Sequence, residues 1–300
     1  MRFFVLILVI IVFQNATAQL KLPQSFPEYM KVGHRGGTGL MPENTIPAMK
    51  MGIDAGANVV EFDVYTSKDG QVIVTHDPNI NWKISLSPEG NQLTGEEAKK
   101  FQVHQMNYSE IRKFDVGSKE YPAFPGQKKV KTYIPLLAEL IDSVEQHIIA
   151  HKLAKVIYNI ELKTGPAYDG QLNSSPEELV DAVLKVVKSK NIGDRFYIQS
   201  FDVRPLQYVH RTHPGIPVGY LVSNQDTFGE NVELLGFLPH VYSPAFRLVT
   251  PELVAQCKAK GIKIVPWTVN TPEDMKRIHD VGVDGIITDY PNYFESFLKN

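Results

Sequence analysis

The run Val59-Val60-Glu61-Phe62-Asp63-Val64-Tyr65 carries two carboxylates separated by one apolar residue. β-Branched and aromatic residues dominate it, Asn58 precedes it and Ser67-Lys68-Asp69-Gly70 follows, the pattern of a strand that ends in a turn. Side chains alternate along a strand, so Glu61 and Asp63 share one face while Val60, Phe62 and Val64 face a core. Two acids so placed repel each other unless something neutralises them, and a hard cation such as Ca²⁺ or Mg²⁺ takes oxygen ligands of this kind. The competing reading is an edge strand whose acids face water.

The turn adds a histidine. Asp69-Gly70 predicts a tight hairpin into Val72-Ile73-Val74-Thr75-His76-Asp77, and the link is too short for a parallel crossover. Closure at Asp69-Gly70 pairs Lys68 with Gln71 and sets Asp63 opposite His76, on the face of Glu61. A loop one residue longer sends His76 to the other face unless a bulge intervenes.

Two further strand ends carry reactive groups. Val32-Gly33-His34-Arg35-Gly36-Gly37 offers an acid or base in His34 and a bidentate anion donor in Arg35, followed by Pro42-Glu43-Asn44-Thr45, which also reads as a helix cap. Tyr158-Asn159-Ile160-Glu161-Leu162-Lys163 sets Glu161 and Lys163 on one face, as a salt bridge or as a third metal ligand beside a phosphate-binding cation. Three acids, two histidines, an arginine and a lysine suit phosphoryl chemistry, in which cations offset transition-state charge and histidines move protons. Trp267 ends Ile264-Val265-Pro266-Trp267 and reads equally as a wall for a small polyol or as a core residue.

These groups need a scaffold that gathers strand ends. From residue 31 short apolar runs (30–34, 58–65, 71–76, 156–162, 195–200, 217–221, 240–243, 262–267 and 284–288) alternate with amphipathic ones (45–55, 135–149, 176–190, 203–212, 250–260 and 271–280). Ser175-Pro176-Glu177-Glu178, Thr250-Pro251-Glu252 and Thr271-Pro272-Glu273-Asp274 are helix starts. The pattern predicts an α/β chain folded as a (β/α)8 TIM barrel with one strand too many, explained by the hairpin, while the weak run 240–243 reads as another strand outside the barrel. An insertion, roughly 79–131, follows the third strand and contains a short helix near Tyr108–Lys113. Such an insertion beside an active-site strand shapes the substrate mouth.

Composition excludes several classes. The 300 residues are 43% hydrophobic and 21% charged with a net charge of −2, which gives no basis for nucleic-acid binding. Arg2, the apolar run Phe3 to Phe13 and Ala16-Thr17-Ala18 form a secretory signal peptide over 1–18, too short to span a bilayer. The mature chain, 19–300, is then periplasmic or secreted, with no stable membrane anchor. Its single cysteine, Cys257, makes no internal disulfide and falls in a helical run, where a packed thiol is expected. Nothing in the residues indicates an oligomeric state.

His34-Arg35-Gly36-Gly37, Pro42-Glu43-Asn44-Thr45, Glu61-Phe62-Asp63-Val64, Thr66-Ser67-Lys68-Asp69-Gly70, His76-Asp77, Ile134-Pro135-Leu136-Leu137, Glu161-Leu162-Lys163, Gln199-Ser200-Phe201, Trp267-Thr268-Val269-Asn270 and Gly282-Val283-Asp284-Gly285-Ile286-Ile287-Thr288-Asp289-Tyr290-Pro291 occur in that order. In this the chain resembles the glycerophosphodiester phosphodiesterase family of phospholipase-C-like barrel enzymes. The resemblance implies that His34 and His76 are the catalytic pair. It implies that Glu61, Asp63 and Glu161 hold one divalent cation, Ca²⁺ or Mg²⁺, and that Arg35 and Lys163 bind phosphate. The implied reaction is hydrolysis of a glycerophosphodiester to glycerol 3-phosphate and an alcohol. The alternatives are a related exported phosphodiesterase acting on phosphoinositide, lysophospholipid or polymeric glycerophosphate, and a non-catalytic binding protein. A membrane-facing variant would use an exposed rim on the insertion, for which Phe114, Tyr121, Phe124 and Lys128-Lys129 are the candidates.

Overall fold

The structure, a computed structural model, describes residues 21–298; the expected signal peptide lies outside the described residues. The strands are β1 (Met30–Gly33), β2 (Val59–Thr66), β3 (Val72–Val74), β4 (Ile157–Leu162), β5 (Phe196–Ser200), β6 (Val218–Val222), β7 (Val241–Pro244), β8 (Lys263–Ile264) and β9 (Gly285–Thr288). Eight run in the order β8-β7-β6-β5-β4-β2-β1-β9, all parallel, and β3 pairs antiparallel with β2. The result is a nearly closed (β/α)8 barrel. Its seam is bridged by the Asp284 N–H to the Ile264 carbonyl and the Ile287 N–H to the Pro266 carbonyl, both at 2.9 Å.

Alternation along the strands sorts the side chains. Val60, Phe62 and Val64 of β2 join the large core between the barrel and its helices, with Leu140 and Val144 of the helix Leu137–His151. Val59, Glu61 and Asp63 therefore point inward. The barrel floor is apolar, built from Met30, Val32, Val59, Ile157, Tyr197, Val241, Val265 and Ile287. Two and four residues further along these strands the inner face turns polar: Asn159 and Glu161 follow Ile157, Gln199 follows Tyr197, His34 follows Val32 and Asp289 follows Ile287. Chemistry thus collects at the carboxyl ends of the strands, where a parallel barrel leaves its mouth.

The helix starts hold as expected. Ser175 accepts from the Glu178 N–H in a full capping box, and Thr250 and Thr271 accept from the Leu253 and Asp274 N–H groups. Each such cap stabilises its helix by about 1 kcal/mol. A helix at Phe228–Leu235 was not expected from the residues; Thr227 caps it and Gly236 ends it in a left-handed conformation. Cys257 is fully buried in Pro251–Ala259 and burial pushes its thiol up to about 12, as a packed structural thiol requires.

Three expectations are corrected. The hairpin pairs Val64 with Val74 and Thr66 with Val72, so Lys68, Asp69 and Gly70 form a loop one residue longer than expected, and Asp63 lies opposite Thr75 rather than His76. The Ser67 side chain donates to Asp69 and accepts from the Gln71 N–H, which stabilises the longer loop. His76 escapes the wrong face because β3 stops at Val74 and the chain bends there. The run near 240–243 is β7, a member of the barrel; its Ser243 faces the interior, which is why its apolar signal is weak.

The third correction concerns the insertion. Ile80, Leu93, Val103, Ile111, Phe114 and Val116 pack on Tyr65 and Ile73 of the hairpin as a separate small core. Phe114 is thus buried, not part of an exposed rim. The returning segment of the insertion is fixed beside the mouth: Gln127 donates to the Thr38 and Met41 carbonyls at 2.6 and 3.1 Å, and the Lys128 N–H donates to the Leu40 carbonyl at 2.9 Å. Among the described residues no helix is long and apolar enough to cross a membrane.

Candidate active site

The barrel mouth gathers the expected residues. A cavity of about 140 Å³ is lined by His34, Arg35, Glu61, His76, Glu161, Lys163 and Trp267, with Gln199, Phe201 and Leu221 completing its wall. Asp63 adjoins this set, paired in register with Glu161 across β2 and β4. Glu61 and Asp63 are each 1% exposed and Glu161 is 7% exposed. One carboxylate oxygen from each of the three lies within 4.8 Å of the others.

The first strand delivers His34 and Arg35 through a sharp turn. Gly36 has φ +90, and a Cβ there would sit 2.7 Å from the Ala48 backbone, so only glycine lets the turn rest on the helix Ile46–Asp54. Arg35 itself takes a left-handed φ of 48. That conformation is held by its N–H, which donates to Glu61 Oε2 at 2.7 Å, and by its carbonyl, which accepts from the Asn44 N–H at 3.0 Å. Strain of this kind, of order 1–3 kcal/mol, persists where surrounding contacts over-determine the geometry. Asn44 also braces Asp63: its amide donates to Asp63 Oδ2 at 2.9 Å and accepts the Asp63 N–H at 3.1 Å.

The cations interleave with the acids. Arg35 Nη1 donates to Glu43 at 2.9 Å, and its Nε lies 3.5 Å from Asp63. That Nε is buried and has no hydrogen-bond partner among the described residues. Lys163 Nζ donates to Glu161 at 2.8 Å and lies 3.5 Å from Asp63. Burial pushes the Asp63 carboxyl up, but Lys163, His76 and Arg35 beside it, with the Asn44 bond, pull harder and leave it below the usual carboxylate range. Glu61 goes the other way: burial, then Asp63 and Glu161, raise it well above that range.

This imbalance fits a divalent cation. Arg35 and Lys163 only partly offset the acids Glu43, Glu61, Asp63 and Glu161, and the raised Glu61 carboxyl marks the shortfall. Glu61 Oε1 is buried without any hydrogen-bond partner among the described residues. A buried carboxylate oxygen left unpaired is costly, and an ion ligated by all-oxygen donors would satisfy it.

Each histidine is oriented by an aspartate. His34 Nδ1 lies 2.6 Å from Asp289 Oδ1, and Asn270 donates to the other Asp289 oxygen at 2.6 Å. Burial raises the Asp289 carboxyl, but His34 and the Asn270 bond outweigh it and hold the group below the ordinary range. His76 Nδ1 lies 2.8 Å from Asp77. With Nδ1 committed to a carboxylate, Nε2 is the nitrogen each ring has left for proton transfer. Asp289 and Asn270 were missed by sequence reasoning. The signal was available: Asp289 directly follows the last strand, the position that supplies His34 after β1. Trp267 is half-buried, donates its indole N–H to the Ser243 carbonyl at 2.9 Å and meets Phe201 edge-on with ring centroids 5.2 Å apart. It is therefore a satisfied indole that still presents a face to the cavity.

Comparison with known proteins agrees with this geometry. A profile of the "Glycerophosphoryl diester phosphodiesterase family" matches residues 34–293. A Caldanaerobacter subterraneus glycerophosphodiester phosphodiesterase is 32% identical over 271 residues, covering 89% of this chain and 97% of that protein. A crystal structure from Silicibacter pomeroyi superimposes with a TM-score of 0.80 at 34% identity, covering 94% of this chain and 96% of that one. An Oleispira antarctica phosphodiesterase, solved with its product sn-glycerol-3-phosphate, shares the fold at a TM-score of 0.71 and 24% identity over 90% of this chain and 96% of its own. With the buried acid cluster at the mouth of a nearly closed barrel, these matches show that the chain belongs to the glycerophosphoryl diester phosphodiesterase family.

Proposed function

We propose that the protein is an exported, divalent-cation-dependent glycerophosphodiester phosphodiesterase that releases glycerol 3-phosphate and an alcohol. The observation that carries this reading is the buried set Glu61, Asp63 and Glu161, whose oxygens lie within 4.8 Å of one another beside two aspartate-supported histidines. A bound cation would supply Lewis-acid stabilisation of charge on the phosphoryl oxygens. Arg35, with its unpartnered Nε, and Lys163 hold the phosphate and share that task. The hydroxyl next to the phosphoester is the first nucleophile. One histidine takes its proton at Nε2 and the other protonates the departing alkoxide, and the roles reverse when water opens the cyclic phosphate. His34 and His76 leave different strand ends, so they flank the phosphate from two sides. The Trp267 face borders the glycerol. The product found in the Oleispira enzyme, sn-glycerol-3-phosphate, is the one this division of groups implies.

The export part of this reading rests on residues 1–18, with cleavage after Ala18 leaving 19–300 in the periplasm or outside the cell. The functional test is hydrolysis of glycerophosphocholine. Chelator should stop it, and Ca²⁺ or Mg²⁺ should restore it; full turnover in excess chelator contradicts the proposal.

Lys163 separates two roles. If it holds phosphate, Lys163→Met lowers kcat/KM by roughly 10²–10³-fold, the scale of removing one transition-state donor, while cation affinity measured by calorimetry stays near wild type. If it serves only as the partner of Glu161, the loss falls on cation affinity and stability instead. Wild-type turnover in this variant contradicts both roles.

A further inference from the structure

Lys163 lies just past the end of β4, where the sheet loosens its hold. Its N–H reaches the Val64 carbonyl of β2 at 3.4 Å, beyond the usual ~2.7–3.2 Å of such bonds. The Thr164 N–H then turns back to the Leu162 carbonyl at 3.1 Å, so the chain leaves the strand in a three-residue turn centred on Lys163. A lysine stem is flexible, and its ammonium is aimed only as well as its backbone is held. Yet Nζ stands 2.8 Å from Glu161 and 3.5 Å from Asp63, on the wall of the cavity.

A further restraint comes from ten residues along the chain. The Asn173 side-chain amide donates to the Lys163 carbonyl at 2.8 Å. Its oxygen accepts from the Thr66 N–H at 3.0 Å, the Thr66 hydroxyl at 2.9 Å and the Ser174 N–H at 2.9 Å. Donors on one side and a carbonyl on the other fix which way the amide points. Asn173 is fully buried, and its one side chain ties the end of β2, where Thr66 closes the strand that carries Asp63, to the turn that carries Lys163. The loop 164–173 that delivers it is itself pinned. The Tyr168 carbonyl accepts the N–H groups of Gln171, Leu172 and Asn173 at 3.0, 2.8 and 3.0 Å, and Arg204 pairs with Asp169 at 2.5 Å.

We propose, resting on the phosphodiesterase reading above, that Asn173 is a positioning residue for phosphate binding: it acts through the Lys163 backbone and sets where the ammonium meets the phosphate. A clamp that served the loop alone would need the three accepted bonds but not the donated one. The two roles therefore separate at the amide nitrogen. Asn173→Asp keeps the acceptor oxygen for Thr66 and Ser174 and sets a second oxygen against the Lys163 carbonyl, where two acceptors repel.

The test is a double-mutant cycle with Lys163→Met on the cation-loaded protein. Asn173→Asp alone should lower kcat/KM for glycerophosphocholine by roughly 10–100-fold, the scale for a small displacement of a positioned group. It should also weaken calorimetric binding of sn-glycerol 3-phosphate while cation affinity stays near wild type. In the Lys163→Met background the same change should cost nothing further. An equal loss in both backgrounds assigns Asn173 to the loop alone and overturns the proposal, as does wild-type kcat/KM in Asn173→Asp. Asn173→Ser, too short to reach the carbonyl, carries the cycle if the aspartate variant does not fold; failure of both to fold makes Asn173 a structural clamp and overturns the proposal. If wild type hydrolyses no glycerophosphodiester, the phosphodiesterase reading fails instead, and calorimetry with inorganic phosphate still decides the role of Asn173. Binding that Asn173→Asp weakens in the wild-type background but not in Lys163→Met supports it, and no binding to wild type overturns it.

Discussion

Glu61→Ala and Asp63→Ala are each expected to abolish tight divalent-cation binding and, with it, turnover. Both side chains are almost wholly buried, and each lies within reach of the same point as Glu161. Losing only a supporting partner of a ligand costs ~10–100-fold in metal affinity or activity, so loss of a ligand itself should exceed that. The stability outcome separates a metal site from a structural ion-pair network. Glu61 is raised by burial and by Asp63 and Glu161, and its Oε1 has no partner among the described residues. In metal-free protein, Glu61→Gln removes a repelled charge and should melt no lower than wild type. If these acids instead served only to pair Arg35 and Lys163, the same change would lower the melting temperature. Calorimetric titration of Ca²⁺ and Mg²⁺ reads the first effect and thermal melts in chelator read the second. Wild-type cation affinity in either alanine variant would sink the assignment.

The second large effect concerns the histidines. On a diester with an ordinary alcohol, His34→Ala and His76→Ala should each lower kcat by roughly 10²–10⁴-fold, the contribution of a positioned acid or base. A nitrophenyl ester that keeps the free hydroxyl separates them. Its leaving group needs no proton, so replacing the acid costs little in the first step while replacing the base still costs the full amount. The variant whose rate the activated ester restores carries the missing acid, and the other carries the missing base. Equal impairment of both variants on activated and unactivated esters rules out this division of labour. Wild-type rates in both remove the histidines from catalysis.

How much of this was legible in the sequence depends on the range of the interaction. Glu61 and Asp63 announced themselves because strand alternation is a local rule, and the burial of Val60, Phe62 and Val64 on the helix side confirms the face. The helix caps at Ser175, Thr250 and Thr271 are local in the same sense. The hairpin register was missed by one residue because Asp69-Gly70 signals a turn but not its length, and a Ser67 side-chain bond decides it. β7 was undervalued because a barrel strand with a polar inner residue, Ser243, loses its apolar pattern. The strand-end position of Asp289 was readable, but its support of His34 joins residues 255 positions apart through the contact of β1 with β9, and no local pattern encodes which two residues meet. Phe114 reads as an exposed rim residue only until the small core of the insertion closes over it.

The most direct test of the proposed chemistry is ³¹P NMR of glycerophosphocholine turnover by the cation-loaded protein. Attack by the neighbouring hydroxyl leaves phosphorus on glycerol, so the expected final products are glycerol 3-phosphate and choline, with a cyclic glycerol phosphate signal appearing before them. Phosphocholine and glycerol as the products, with no cyclic species at any time, would contradict it.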